Sequence, residues 1–178
     1  MPEAGYAGGL LPGFKCLGAF IGEADWCEAK LVERVEKHLA KLTRVAELRD
    51  TRKCNTSMQC QMSIIRYCSN SQLVYFLRTM PPSVTSAAAQ RHDKLIAEAF
   101  HSTIVTSTSN ADERRLAEQQ ARLPVRMGGL GLTEQNAIRP AAWIGTWALV
   151  WRTMRRLHKP FAEIDSPLVL FVRVGVVD

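Results

Sequence analysis

The fold is decided by residues 24–48, which read ADWCEAKLVERVEKHLAKLTRVAEL. The apolar residues of this stretch recur at every third or fourth position: Leu31, Val35, Leu39, Leu42 and Val45. That period places them on one face of an α-helix. Asp25 is the expected N-cap residue, with Glu28 three positions later as in a capping box. We therefore predict an amphipathic helix whose apolar stripe packs into the core of a mainly α-helical protein.

The same period predicts four further helices, over about residues 51–78, 83–107, 110–121 and 134–158. The polar run Ser69-Asn70-Ser71 interrupts the second helix, so we expect a bend or a break there. Pro81 and Pro82 end this helix because neither proline can donate a helical hydrogen bond.

Caps and buried faces follow from the same pattern. The third helix begins at Ser83 or Thr85, and the fourth begins at Asn110 or Asp112. The residues expected on the inner faces of the second, third and fifth helices are Met58, Met62, Ile65, Leu73, Phe76, Leu77, Ala88, His92, Leu95, Ala99, Phe100, Trp143, Trp147, Val150, Met154 and Leu157.

Shorter segments flank the helices and complete the predicted domain organisation. Residues 14–22, FKCLGAFIG, form an apolar run between glycines, which favours one strand or a tight hairpin. Residues 1–13 are rich in glycine and proline and predict an extended arm, whereas residues 160–178 predict an extended tail. The apolar run at 168–172 favours a strand or a docking segment. The helical domain between arm and tail covers residues 14–159.

Composition and charge limit the class of protein. A chain of 178 residues corresponds to about one domain, and a hydrophobic content of 47% is enough to form a core. The net charge of +6 suits a polyanionic partner such as RNA, DNA or an anionic surface. The same charge is also compatible with a role in solubility alone.

The five cysteines and four histidines show no spacing typical of metal ligands, and no CxxC pair occurs. We expect reduced, mostly buried cysteines in an intracellular protein, and a mitochondrial location is compatible with this. A metal or redox role stays open for Cys54, Cys60 and Cys68, but no cofactor is predicted. No apolar run reaches the ~18 residues of a membrane span, and Met1–Gly5 does not open a secretory signal.

Basic residues form two clusters. The stronger one lies at the end of the fifth helix and consists of Arg152, Arg155, Arg156 and Lys159. Arginine suits phosphate recognition, although cations near a helix C-terminus also interact favourably with its dipole. The other cluster contains acidic neighbours, which favours a solvated helix face, and consists of Arg114, Arg115, Arg122 and Arg126. We select Arg122 and Arg126 from it as further candidates for nucleic-acid binding.

Aromatic residues mark a possible interface. Trp143, Trp147 and Trp151 recur at intervals of four and provide either stacking surfaces for bases or a core or protein-interface stripe, which we favour. Trp151 lies partly off the stripe and is expected to be more exposed. Phe171 in the tail is a fourth candidate for protein contact. The run Gly128-Gly129-Leu130-Gly131 predicts a loop, either a structural turn or a phosphate cradle formed by backbone N–H groups.

Three signatures follow one another along the chain. The first is KCLGAFIG, residues 15–22, and the second combines RYC, residues 66–68, with YFLRTMPP, residues 75–82. The third is RLPVRMGGLGL, residues 122–132. Their order and spacing resemble the region downstream of the polymerase palm in non-LTR (LINE-type) retrotransposon reverse transcriptases. The resemblance covers residues 14–150.

The resemblance implies a thumb-like helical bundle, and it places Lys15 and the basic faces of the first helices near nucleic acid. It does not extend to catalysis. The family holds its metal ions with palm carboxylates that include an adjacent aspartate pair, and the six aspartates here include no such pair. The fingers and palm have no counterpart in the sequence. We therefore expect no polymerase activity and no enzymatic function.

Three functional hypotheses follow. The first is a non-catalytic, RNA-associated structural protein derived from a reverse-transcriptase-like sequence. It would bind structured RNA and neighbouring proteins in a ribonucleoprotein assembly such as an organellar ribosome. The second is a structural subunit held by protein contacts through the tryptophan stripe and the tail. The third is a fragment of an active reverse transcriptase.

Overall fold

The first element of the computed structural model, which describes residues 12–47, 57–104 and 110–157, is a β-hairpin. β1 (Gly13–Cys16) pairs antiparallel with β2 (Ala19–Gly22). Leu17 and Gly18 form the turn, with φ angles of 47° and 94°. Two-residue turns with both φ angles positive match the twist of the flanking strands. Of the two predicted alternatives for this run, the hairpin is confirmed.

Helix α1 (Ala24–Glu47) follows the hairpin and confirms the helix predicted from the deciding stretch. Leu31, Val35 and Leu42 are buried in the core. The predicted cap is wrong, because the helix begins at Ala24 and Asp25 therefore lies inside the first turn. A carboxylate in that position still interacts favourably with the helix dipole.

The second predicted helix is interrupted where the sequence indicated. α2 (Met58–Ser63) continues into a π-helical turn (Ile64–Ser69), and the chain resumes as α3 (Val74–Thr79) after a turn. The side chain of Met58 is 45% exposed, against the prediction. Helical side chains lean toward the N-terminus, and Met58 is the first residue of α2, so its own helix has no earlier turn for it to cover.

Helix α4 (Pro82–Ile104) lies at the centre of the bundle, where it packs against α1 and, on another side, against the last helix. Neither Ser83 nor Thr85 is its N-cap, because the helix already begins at Pro82. Proline suits a first helical position, since its missing N–H has no intrahelical acceptor there. The buried hydroxyl of Thr85 instead donates back to the carbonyl oxygens of Pro81 and Pro82, each at 3.3 Å.

Helix α5 (Ala111–Arg122) begins after Asn110, whose side-chain oxygen accepts a hydrogen bond from the N–H of Asp112 at 3.1 Å. This confirms one of the two predicted starts. A short 3-10 turn (Val125–Met127) and the glycine-rich loop lead from α5 to α6 (Gln135–Leu157). α6 packs against α3 and α4. Over the described residues the protein is therefore a mainly α-helical bundle with an N-terminal hairpin, as predicted.

The inner face of α6 differs from the prediction in its second half. Trp151, expected to be exposed, is buried, whereas Val150 and Leu157, expected to be buried, are exposed. Steps of four residues rotate the buried ridge by about 40° each at 3.6 residues per turn. The ridge from Trp147 to Trp151 therefore turns away from Val150 and Leu157. The predicted arm (except its last two residues) and the predicted tail lie outside the described residues.

Candidate nucleic-acid interface

A groove between the hairpin and α1 is lined mainly by basic side chains. Its walls are formed by Lys15, Phe20, Lys30, Glu33, Arg34 and Lys37, and we call it the hairpin groove. The residues from α1 recur at three- and four-residue intervals, so they share one exposed face of that helix. Lys15 enters from β1, where it lies opposite Phe20 in the strand register.

The charges in the hairpin groove do not cancel. Glu33 accepts hydrogen bonds from the Nζ atoms of Lys37 at 2.6 Å and Lys30 at 2.9 Å. These two ammonium groups lower the pKa of Glu33 to about 2, mainly through the bonds from Lys37 and Lys30, so the carboxylate is ionised at neutral pH. Four cationic side chains and one carboxylate leave the hairpin groove with a formal charge of +3.

Arg34 is held in the hairpin groove by aromatic rings. Its guanidinium carbon lies 5.2 Å from the centroid of the Phe76 ring, close enough for a cation–π interaction. The Phe76 ring in turn stacks on Phe20 of the hairpin, with centroids 5.9 Å apart. No carboxylate within the described ranges pairs with Arg34 or with Lys15. Both cations are therefore available to an anionic ligand.

The structure brings the three sequence signatures together. The hydroxyl of Tyr75 donates a hydrogen bond to the carbonyl oxygen of Leu17 at 2.6 Å, which joins the second signature to the first. The guanidinium of Arg66 lies against Gly131, which joins the second signature to the third. Positions separated by more than fifty residues in the sequence therefore form one continuous set of contacts.

The glycine-rich loop does not present free N–H groups to a phosphate. Backbone N–H groups from Met127 to Leu132 donate to carbonyl oxygens of the preceding segment, between Ala121 and Val125. The loop thus satisfies carbonyl groups at the end of α5, as expected of a C-terminal cap. Of the two predicted roles, this geometry supports the structural turn.

The predicted basic clusters are distributed over separate elements. Arg152, Arg155 and Arg156 are exposed in the last turns of α6, while Lys159 lies outside the described residues. Arg122 forms an ion pair with Glu134, its Nη1 being 3.0 Å from the carboxylate, so this side chain links α5 to the residue preceding α6. Arg126 is exposed in the 3-10 turn.

The predicted protein-contact residues are only partly accessible. Trp143 and Trp147 are half-buried and meet edge to face with ring centroids 5.7 Å apart. Trp151 is buried, so it contributes to packing rather than to an exposed surface. Phe171 lies in the part of the chain that the structure does not describe.

Sequence reasoning did not select Lys30, Arg34 or Lys37 as site residues, although their helical spacing was evident. These residues form a groove only together with the hairpin, and the position of the hairpin against α1 is known only from the folded chain. Arg66 and Tyr67 appeared only inside a signature, because their role depends on the π-helical turn. No pattern of apolar residues distinguishes such a turn from an ordinary α-helix.

The structure also bears on metal binding and on membrane insertion. The described residues contain no group of three or more His, Cys, Asp or Glu side chains arranged to hold a metal ion. Cys60 and Cys68 are exposed, against the expectation of mostly buried cysteines, and Cys54 lies outside the described residues. Within the same ranges, no helix is both long and apolar enough to cross a membrane.

Comparison with known proteins gives no match, whether with protein-family models, curated proteins or solved structures.

Proposed function

We propose that this chain is a non-catalytic, RNA-associated structural protein that binds the phosphate backbone through the hairpin groove. The observation that carries the proposal is the formal charge of +3 in this groove, where Lys15 and Arg34 have no carboxylate partner among the described residues. Cations that neutralise phosphates release condensed counterions, and this supplies most of the affinity of backbone binding.

The basic end of α6 is the second contact in this proposal. Arg152 and Arg156 are exposed there, and arginine binds phosphate oxygens through two parallel N–H groups. A folded RNA is the expected ligand, because a fixed set of cations on a rigid helical surface reads shape rather than base sequence. The setting that we propose is a ribonucleoprotein assembly, such as an organellar ribosome.

The proposed origin is the thumb region of a non-LTR reverse transcriptase. The three signatures support it by their order in the sequence and by their mutual contacts through Tyr75 and Arg66. The proposal assigns no chemistry to the chain, because the resemblance covers none of the metal-binding carboxylates that polymerisation needs.

The test is RNA binding as a function of salt. The purified chain is titrated against a structured RNA between about 50 and 200 mM salt, the range over which phosphate contacts lose most affinity. Lys15→Gln should weaken binding and lower the slope of log K against log salt by about one unit. Lys94→Gln removes the same charge from an exposed position on α4 and serves as the matched control. Equal slopes for the two variants would refute a role for the hairpin groove.

A second candidate function is that of a structural subunit held by protein contacts. It is favoured by the exposed apolar side of α6, where Leu149 is 73% and Leu157 is 77% accessible. Association through apolar contacts tolerates salt, whereas phosphate contacts do not. If the native complex survives both RNase and high salt, and Leu149→Ser releases the chain from it, this second function replaces the first.

A further inference from the structure

A second depression lies where the π-helical turn faces the glycine-rich loop and the start of α6. Its lining includes Arg66, Tyr67, Val74, Gly131, Gln135 and Ile138, and we call it the Arg66 pocket. The cavity volume is about 180 Å³. That is below the ~300–1,000 Å³ of pockets for drug-sized ligands, so the Arg66 pocket suits a single ring system.

Arg66 and Tyr67 form the outer wall of the pocket. The guanidinium carbon of Arg66 lies 4.8 Å from the centroid of the Tyr67 ring, and the Tyr67 side chain is 64% exposed. No carboxylate in the described parts of the chain pairs with Arg66. The guanidinium thus lies over one face of the Tyr67 ring and has no anionic partner among the described residues, while the rest of the exposed ring stays accessible.

Two backbone features hold this arrangement. π-helical turns are rare and are frequently found at functional sites, and this one, Ile64–Ser69, contains both Arg66 and Tyr67. Gly131 has a φ angle of 66°, and a Cβ atom there would lie 3.2 Å from Nη2 of Arg66. Glycine at this position therefore leaves the space that the guanidinium occupies.

The amide side chain of Gln135 also lines the Arg66 pocket. Gln135 is almost fully buried, and its Nε2 donates to the carbonyl oxygens of Asn70 at 2.9 Å and Thr133 at 3.3 Å. These bonds fix the orientation of the amide, and among the described residues its Oε1 has no hydrogen-bond donor. A buried acceptor without a partner costs free energy.

We infer that the Arg66 pocket binds one unpaired nucleotide of an RNA strand. The base stacks on Tyr67, and the guanidinium of Arg66 binds the adjoining phosphate. Aromatic side chains accept any base by stacking, and arginine holds phosphate oxygens through two N–H groups. This inference rests on the proposed function, and it adds that the preferred RNA has a bulged or looped-out base near the contact.

The experiment compares two RNA duplexes of equal length, one fully paired and one with a single unpaired adenosine. The wild-type chain should bind the bulged duplex about tenfold more tightly, as expected for one base stacked on an aromatic ring. Tyr67→Ala should abolish this preference and leave affinity for the paired duplex unchanged. Tyr67→Phe keeps the ring and should keep the preference. Arg66→Gln should lower the salt dependence for the bulged duplex alone.

The controls separate this inference from the proposed function. Lys15→Gln should weaken binding of both duplexes by the same factor, because it acts on the hairpin groove. The thermal unfolding of Tyr67→Ala is measured alongside, and the exposure of Tyr67 predicts little change. Binding without a preference for the bulge, or a preference that survives Tyr67→Ala, overturns the pocket and leaves the proposed function standing. Absence of binding to either duplex at low salt overturns both.

Discussion

The carboxylate of Asp93, in the middle of α4, accepts a hydrogen bond from the backbone N–H of Gln135 at 2.8 Å. Its other oxygen accepts from the N–H of Asn136, also at 2.8 Å. The first N–H groups of a helix have no intrahelical acceptor, and a carboxylate there also interacts with the positive end of the dipole. Asp93 is thus the N-terminal cap of α6, supplied from another helix.

Removal of this cap should destabilise the fold. Asp93→Ala leaves two N–H groups without an acceptor, and we expect the free energy of unfolding to fall by about 1–3 kcal/mol. Asp93→Asn keeps one acceptor oxygen and should lose less. Urea unfolding measures both, with Glu98→Ala on the exposed side of α4 as the control, expected to change stability by at most ~0.5 kcal/mol. A loss for Asp93→Ala no larger than that of the control would contradict the assigned cap.

The cap also shows where sequence reasoning reaches its limit. The helices were predictable because their apolar period is local, and the stripe of Leu31, Val35 and Leu42 is buried accordingly. The partner of the first N–H groups of α6 is 42 residues away in the sequence, and no local pattern identifies it. The same applies to Trp151, whose burial depends on the rotation of α6 against its neighbours.

The sequence predicted a basic surface for a polyanion, but apart from Lys15 it did not predict which residues form that surface. Net charge and basic spacing indicated a polyanion partner, and Lys15 came from the family resemblance. The hairpin groove itself requires β2 to pack beside α1, and the Arg66 pocket requires the π-helical turn to face Gly131. Both are tertiary contacts, which a period of three to four residues cannot specify.

The hairpin turn offers a substitution that should raise stability. Leu17 has a positive φ angle of 47°, a conformation that costs non-glycine residues roughly 1–2 kcal/mol, and its side chain is 94% exposed. Leu17→Asn creates the Asn-Gly pair that two-residue turns prefer. We expect a gain of about 0.5–1 kcal/mol in the free energy of unfolding, read from urea unfolding.

The matched control for this turn is Leu116→Asn on α5, another exposed leucine but within a helix. Asparagine has a lower helix propensity than leucine, so this variant should lose a few tenths of a kcal/mol. If both variants lose stability, the positive φ angle of Leu17 is not a source of conformational cost.

Stability should fall in mild acid because of His38. This buried side chain stacks on His92 with centroids 6.3 Å apart, and both ring nitrogens lack partners among the described residues. Burial, followed by the charges of His92, Lys41 and Arg34, lowers the pKa of His38 from 6.5 to about 4. His38 therefore binds a proton at higher pH in the unfolded chain than in the folded chain. The free energy of unfolding is then greatest above about pH 6.5 and decreases as the pH falls toward 4.

The expected loss over this window is on the order of 2–3 kcal/mol, measured by urea unfolding at a series of pH values. His38→Leu should flatten the curve between pH 6.5 and 4.5. The control is Glu33→Gln. Because the pKa of Glu33 is lowered from 4.5 to about 2, the stability that its carboxylate contributes is lost only below about pH 4.5, outside this window. If His38→Leu does not change the dependence of the free energy of unfolding on pH between 6.5 and 4.5, another titratable group causes the decline.

Three glycine-to-alanine substitutions separate close packing from backbone conformation. At Gly129 a Cβ atom would overlap the carbonyl oxygen of Leu123 and lie 2.6 Å from that of Gln120, so the loop must shift, at a cost of about 3 kcal/mol. Gly128 has open space but a φ angle of 81°, which predicts a loss of about 1 kcal/mol. Gly145 has open space within α6, where alanine should add roughly 0.5–1 kcal/mol. The midpoint temperature of thermal unfolding should therefore be highest for Gly145→Ala, followed by the wild type, Gly128→Ala and Gly129→Ala. Equal losses of stability for Gly128→Ala and Gly129→Ala would show that the loop adapts to the added methyl group.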